Sequence, residues 1–174
     1  MQTLKNEMLT IQVSEHGAEL QSIRKDDYEY LWQGNPEFCG RRSPVLFPIA
    51  GSVWEKCFRV DGKVYEMGQH GFARDMDCER VSCSETEVWY RLESTEKTLS
   101  AYPWPFVLEI GYKLEGNSVT VLWKVTNPGE SEMYFQIGAH PAFNYPDYDP
   151  DTPDRGVVKF DRNENLQRSG FKGK

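Results

Sequence analysis

The pattern that most restricts this chain is its period of two. Apolar and polar residues alternate in short runs, and each run ends at a turn signal. Met8 to Val13 alternates well enough for a strand, His16-Gly17 turns, and Ala18 to Lys25 resumes extended structure. Lys25-Asp26-Asp27 predicts a hairpin turn before Tyr28 to Trp32, and Gly34-Asn35-Pro36 breaks the chain again. Val45 to Ile49 is a short apolar run bounded by prolines and a glycine. Asp61-Gly62, between Cys57 to Val60 and Lys63 to Met67, is the strongest hairpin signal. Cys78 to Ser84 and Val88 to Glu93 form another strand pair, and Glu115-Gly116-Asn117 joins Phe106 to Leu114 with Val119 to Asn127. Met133 to Ile137 and Val157 to Phe160 complete the predicted strands. No segment keeps a helical period over three turns, and Ser94 to Ala101 is at most one short helical turn. Many short strands with regular turns predict an all-β fold, a sandwich or a barrel. With no repeat, low-complexity tract or linker, the expectation is one domain over residues 1–174.

Composition narrows the function. Hydrophobic residues are 39% and aromatics 13%, enough for a globular core. A net charge of -7 argues against a nucleic-acid partner, since such binding needs clustered Lys and Arg on phosphates. It suits a protein that takes small ligands. No 18-residue apolar run occurs and Met1 to Glu7 holds no apolar signal core, so the expectation is a cytoplasmic protein with no membrane partner. Cys39, Cys57, Cys78 and Cys83 include no CxxC pair, which argues against zinc. In a reducing compartment they are expected to be buried thiols.

The chemistry-bearing residues fall in three places. In Met133-Tyr-Phe-Gln-Ile-Gly-Ala-His-Pro-Ala-Phe-Asn144 a predicted strand runs into His140. Gly138 and Ala139 permit close approach, Pro141 stiffens the chain, and Phe143 offers an apolar anchor. A catalytic imidazole and a core histidine satisfied by a carbonyl both fit this stretch. His70 lies in Gln69-His-Gly-Phe-Ala-Arg-Asp75, where Gly71 frees the backbone and Arg74 brings a planar donor fork. That makeup suits a binding loop better than the alternative, a solvated loop with Arg74 paired to Asp75 or Asp77. Arg41-Arg42 is the third basic point and alone reads as surface. His16 reads as a structural turn residue. The acidic stretch Asp147 to Asp154 fails as a calcium loop: Pro150 interrupts it, and Thr152 and Val158 occupy the glycine and glutamate positions. No nucleophile elbow, phosphate-cradling loop or HExxH helix is visible.

Five motifs occur in order: Gly17-Ala-Glu-Leu-Gln-Ser-Ile23, Tyr30-Leu-Trp-Gln-Gly34, Arg42-Ser-Pro-Val-Leu-Phe-Pro48, His70-Gly-Phe-Ala-Arg74 and Gly138-Ala-His-Pro-Ala-Phe-Asn144. Together they resemble the aldose 1-epimerase (galactose mutarotase-like) family, nearest its LacX-like branch. The resemblance implies an antiparallel β-sandwich of the galactose mutarotase type, incomplete in this chain. It implies exchange of the α and β anomers of a free hexose or hexose phosphate, with no metal or organic cofactor. By motif position, His140 is the general acid for the ring oxygen and His70 hydrogen-bonds the sugar. Arg74 and one arginine of the Arg41-Arg42 pair, with Arg42 favoured, contact hydroxyls or a phosphate. Phe143, Tyr145 and Trp54 offer aromatic faces to a sugar. The family's base, a glutamate, and a further sugar-binding aspartate stand well downstream of the His140 motif. Here the sequence ends at Lys174, so half a catalytic apparatus is expected, and Glu55 and Glu109 are available as a base by composition only. The alternative is a carbohydrate-binding fragment without turnover. Sheet edges left open by the missing strands would favour a homodimer.

Overall fold

The structure is a computed structural model, and it describes residues 1–145, 148–153, 159 and 161–162. It divides into two compact units, Met1–Asn144 and Tyr145–Lys174. Within the first, two four-stranded antiparallel sheets carry the core. One orders β1 (Gln2–Lys5), β2 (Thr10–Val13), β3 (Leu20–Lys25) and β4 (Tyr28–Glu29) side by side. The other orders β11 (Ser118–Thr126), β10 (Val107–Glu115), β9 (Glu87–Glu93) and β8 (Glu79–Cys83). Two short ribbons complete the set: β6 (Cys57–Val60) with β7 (Lys63–Glu66), and β5 (Val45–Leu46) with β12 (Gly138–Ala139). Among the described residues the sheets are open, so the fold is a sandwich rather than a barrel.

Turn chemistry sets the registers. Asp61 and Gly62 both take positive φ, 48° and 79°, the two-residue geometry that matches strand twist. Gly116 (φ 55°) serves the same end between β10 and β11, whose ladder runs from Val107↔Thr126 to Glu115↔Ser118. Alternation then points Val88, Tyr90 and Leu92 of β9 and Leu108, Ile110, Tyr112 and Leu114 of β10 into one core with Ile11, Val13 and Leu20. The single helix among the described residues, α1 (Glu96–Ala101), starts at a reciprocal cap between Thr95 and Thr98. No helix among them is long and apolar enough to cross a membrane.

Two expectations are corrected and one strand is added. Met133 to Ile137 is not a ladder strand; the strand comes later, at Gly138–Ala139, paired with Val45–Leu46. The physical reason is Pro48. The Gln136 N–H reaches the Pro48 carbonyl at 2.8 Å, but Pro48 has no N–H to return, so the ladder cannot extend past it. Strand β1 escapes the sequence pattern because its one buried residue, Leu4, makes no alternation. The cysteines are free but not uniformly buried: Cys78 is buried, Cys57 half-buried, and Cys39 and Cys83 exposed. Burial pushes the Cys78 thiol up to about 12. The strand expected from Val157 to Phe160 falls, Lys159 apart, outside the described residues. In the second unit, Asp149 accepts the Asp151 N–H at 2.9 Å, and the Tyr145 and Tyr148 rings meet edge-on at 6.2 Å.

Candidate active site

The site is built outward from Phe47. This fully buried ring packs against Phe106 at 5.0 Å and Tyr102 at 6.2 Å. Its carbonyl accepts the N–H groups of Phe72 and Ala73 at 3.0 and 3.1 Å, which docks the His70–Arg74 loop on β5. The loop closes against it so tightly that a Cβ on Gly71 (φ 71°) would stand 2.2 Å from the Phe47 oxygen. Only glycine fits there.

On this loop His70 takes φ 65°, rare for a residue with a side chain. Gly51 compensates with two bonds. Its carbonyl accepts the His70 N–H at 2.7 Å, and its own N–H donates to His70 Nδ1 at 2.9 Å. Nδ1 is thus an acceptor, and in the neutral ring the proton sits on Nε2. Burial lowers the His70 pKa first, and the charge of Arg74 and the neighbouring His140 ring lower it further.

His140 arrives from the opposite direction. Gly138 and Ala139 pair with Leu46 and Val45, and the bonding continues past the strand: His140 N–H donates to Pro44 at 3.1 Å and Ala142 N–H to Arg42 at 2.9 Å. Asn144 pins the far end, donating from Nδ2 to the carbonyls of Glu29 and Leu31 at 2.8 and 3.0 Å. The His70 and His140 rings end 5.7 Å apart, tilted by 59°.

Both rings line one hollow of about 550 Å³, a volume usual for small-ligand clefts. Arg41, Arg74 and Gln69 share its wall, with Cys39 beside them. Asp75 ties the arginines together, at 2.6 Å from Arg41 and 3.7 Å from Arg74. Arg74 also donates to the Gln69 carbonyl at 2.8 Å, while burial and then the Arg41 charge lower its pKa. Among the described residues, none that lines the hollow is a carboxylate.

Several expected residues lie elsewhere. Arg42 turns its guanidinium to Gln21 and to the Gln33 carbonyl, and it is not among the hollow's lining residues. Phe143 is exposed, its backbone bridged to Leu31. Trp54 is exposed on a short 3₁₀ turn. Glu109 is bound by Lys124 at 2.7 Å and Arg91 at 3.3 Å, and Glu55 lines a different depression. His16 pairs with Asp77 at 2.8 Å. Among the described residues no group of three or more His, Cys, Asp and Glu is placed to hold a metal ion. Sequence reasoning missed Gly51, whose part is carried by its backbone and leaves no residue-type signal.

The aldose 1-epimerase family pattern matches residues 1–166. The chain belongs to the aldose 1-epimerase family. It is 38% identical over 151 residues to the chromosomal protein LacX of Lactococcus lactis subsp. lactis, covering 82% of this chain and 50% of that one. Among solved structures it is similar to a galactose mutarotase related enzyme from Lactobacillus acidophilus (TM-score 0.82, 39% identity, 83% of this chain and 49% of that one). It is also similar to a galactose mutarotase-like protein from Lactobacillus casei (TM-score 0.80, 38% identity, 83% and 50%). The chain thus spans about half the length of these relatives.

Proposed function

We propose that the hollow is a sugar site of the aldose 1-epimerase kind, in which His140 delivers a proton to the ring oxygen of an aldose. The observation that carries this reading is the pair of imidazoles 5.7 Å apart on one wall with Arg41 and Arg74. In the reaction water takes the proton of the anomeric hydroxyl, the released O–H electron pair forms the C1 carbonyl as the bond from C1 to the ring oxygen breaks, and that oxygen takes a proton from His140. Rotation about the C1–C2 bond and the reverse steps close the ring on the other face. An imidazole can both give and take a proton through its ring nitrogens, which the opening and closing steps require. His70 complements it. Neutral, with its proton on Nε2, it donates a hydrogen bond to a sugar oxygen near the reacting centre. Arg41 and Arg74 hold hydroxyls or a phosphate, and Arg41 replaces Arg42 in that role because Arg41 lines the hollow while Arg42 turns to Gln21 and Gln33.

A second reading has an observation of its own. With no carboxylate among the described lining residues, the second reading is that these residues by themselves bind a sugar without turning it over. Polarimetry of freshly dissolved α-glucose or α-galactose separates the two. Turnover that falls by about 10²–10⁴ in His140→Ala supports the first. Sugar-induced shifts of the His70 and His140 ring signals without accelerated mutarotation support the second. Full activity in His140→Ala removes His140 as the acid.

A further inference from the structure

We infer that Glu19, which does not line the hollow, is the positioning residue that holds Arg41 and His140 in it. One oxygen of its carboxylate accepts the backbone N–H of Arg42 at 2.8 Å and of Ser43 at 2.9 Å. The other accepts Gln21 Nε2–H at 2.8 Å. Charge-assisted bonds of this sort are roughly twice as strong as neutral ones. The two clamped residues sit between Arg41, which lines the hollow, and Pro44, whose carbonyl receives the His140 N–H at 3.1 Å. The Arg42 carbonyl receives Ala142 N–H at 2.9 Å, on the other side of His140. A displacement of this backbone therefore moves the guanidinium and the imidazole together.

The same turn also supports the other wall. Gly17 (φ 67°) lies so near the Arg74 backbone that a Cβ would stand 2.7 Å from its carbonyl oxygen. The Gly17 N–H donates to Met76 at 2.7 Å, just past the 3₁₀ turn Ala73–Asp75 that carries Arg74. Glu19 thus stands on the footing shared by both arginine-bearing segments. Its action runs through backbone groups, so it touches no substrate.

The inference rests on the sugar-site reading for its kinetic arm only. Glu19→Ala and Glu19→Gln are made in the full chain. ¹H–¹⁵N spectra follow the His140 ring and Arg41 Nε, with the Trp89 indole, bonded to Glu87 on β9, as a remote reference. Glu19→Ala is expected to move the His140 and Arg41 signals, leave Trp89 in place, and lower kcat/KM for α-galactose by about 10- to 100-fold, as misplacement of reacting groups does. Glu19→Gln, whose amide oxygen still accepts, recovers most of both. Unmoved His140 and Arg41 signals in both variants overturn the inference, and so does a glutamine no better than alanine. If the parent chain shows no mutarotation, the functional reading fails while the spectra still decide the clamp. If Glu19→Ala does not fold, Glu19→Asp, whose shorter side chain withdraws the carboxylate from the Arg42 and Ser43 N–H groups, takes its place, and unmoved His140 and Arg41 signals in it overturn the inference.

Discussion

The Gly51 N–H donates to His70 Nδ1 at 2.9 Å, and this one bond leaves the ring a single nitrogen to offer the hollow. His70 Nε2 therefore carries the proton in the neutral form, and the ring acts as a donor. In the proposed reaction this leaves His140 as the proton donor to the ring oxygen.

The titration of His70 follows from that environment. Burial, Arg74 and His140 all oppose its charge, so its NMR midpoint is expected below the ordinary value of about 6.5. In Arg74→Gln the midpoint rises toward that value. The sign for stability is fixed: the unfolded chain takes up the proton at higher pH than the folded one. Stability is complete above about pH 6.5 and falls as pH drops toward the folded midpoint. His70→Gln should flatten this slope. A His70 midpoint at or above 6.5 would contradict the assigned surroundings.

The two adjacent arginines should separate in binding. Arg41→Ala removes a guanidinium from the wall of the hollow and is expected to weaken sugar binding by about 10- to 100-fold, the loss of one charged hydrogen bond. Arg42→Ala removes bonds to Gln21 and Gln33, so thermal stability should fall more than affinity. Calorimetric titration and a melting curve on each variant check the order. The opposite order would restore Arg42 to the site.

Gly71→Ala tests how the His70 loop is seated. The new methyl would need the space of the Phe47 carbonyl at φ 71°. A loss of more than about 2 kcal/mol in denaturant unfolding is expected, with the His70 signals displaced. Gly62→Ala, whose Cβ meets nothing within 4 Å but also has positive φ, should cost less.

Tyr112 links the core to the turn that holds Glu19. Its buried hydroxyl donates to the Ala18 carbonyl at 2.7 Å, and burial raises its pKa, chiefly by desolvation. Tyr112→Phe leaves that carbonyl without its partner and should cost about 1–3 kcal/mol, a Tm fall of several degrees. An unchanged Tm would mean that the turn is held from elsewhere.

The residues by themselves determined the strand architecture wherever local chemistry decides it. Asp61-Gly62 and Gly116 fix their hairpins through backbone angles available to neighbours in sequence, and alternation chose the inward faces of β9 and β10. The motifs around His70 and His140 were legible for the same reason, as short runs of residue types. Tertiary structure alone decided which arginine of an adjacent pair enters the hollow, which His70 nitrogen carries the proton, and where the strand before His140 lies. Each of these turns on a partner remote in sequence: Gln21 for Arg42, Gly51 for His70, Pro48 for Gln136. Sequence pattern records the spacing of side chains along one segment. Hydrogen bonds made through space to another segment's backbone leave no trace in that spacing.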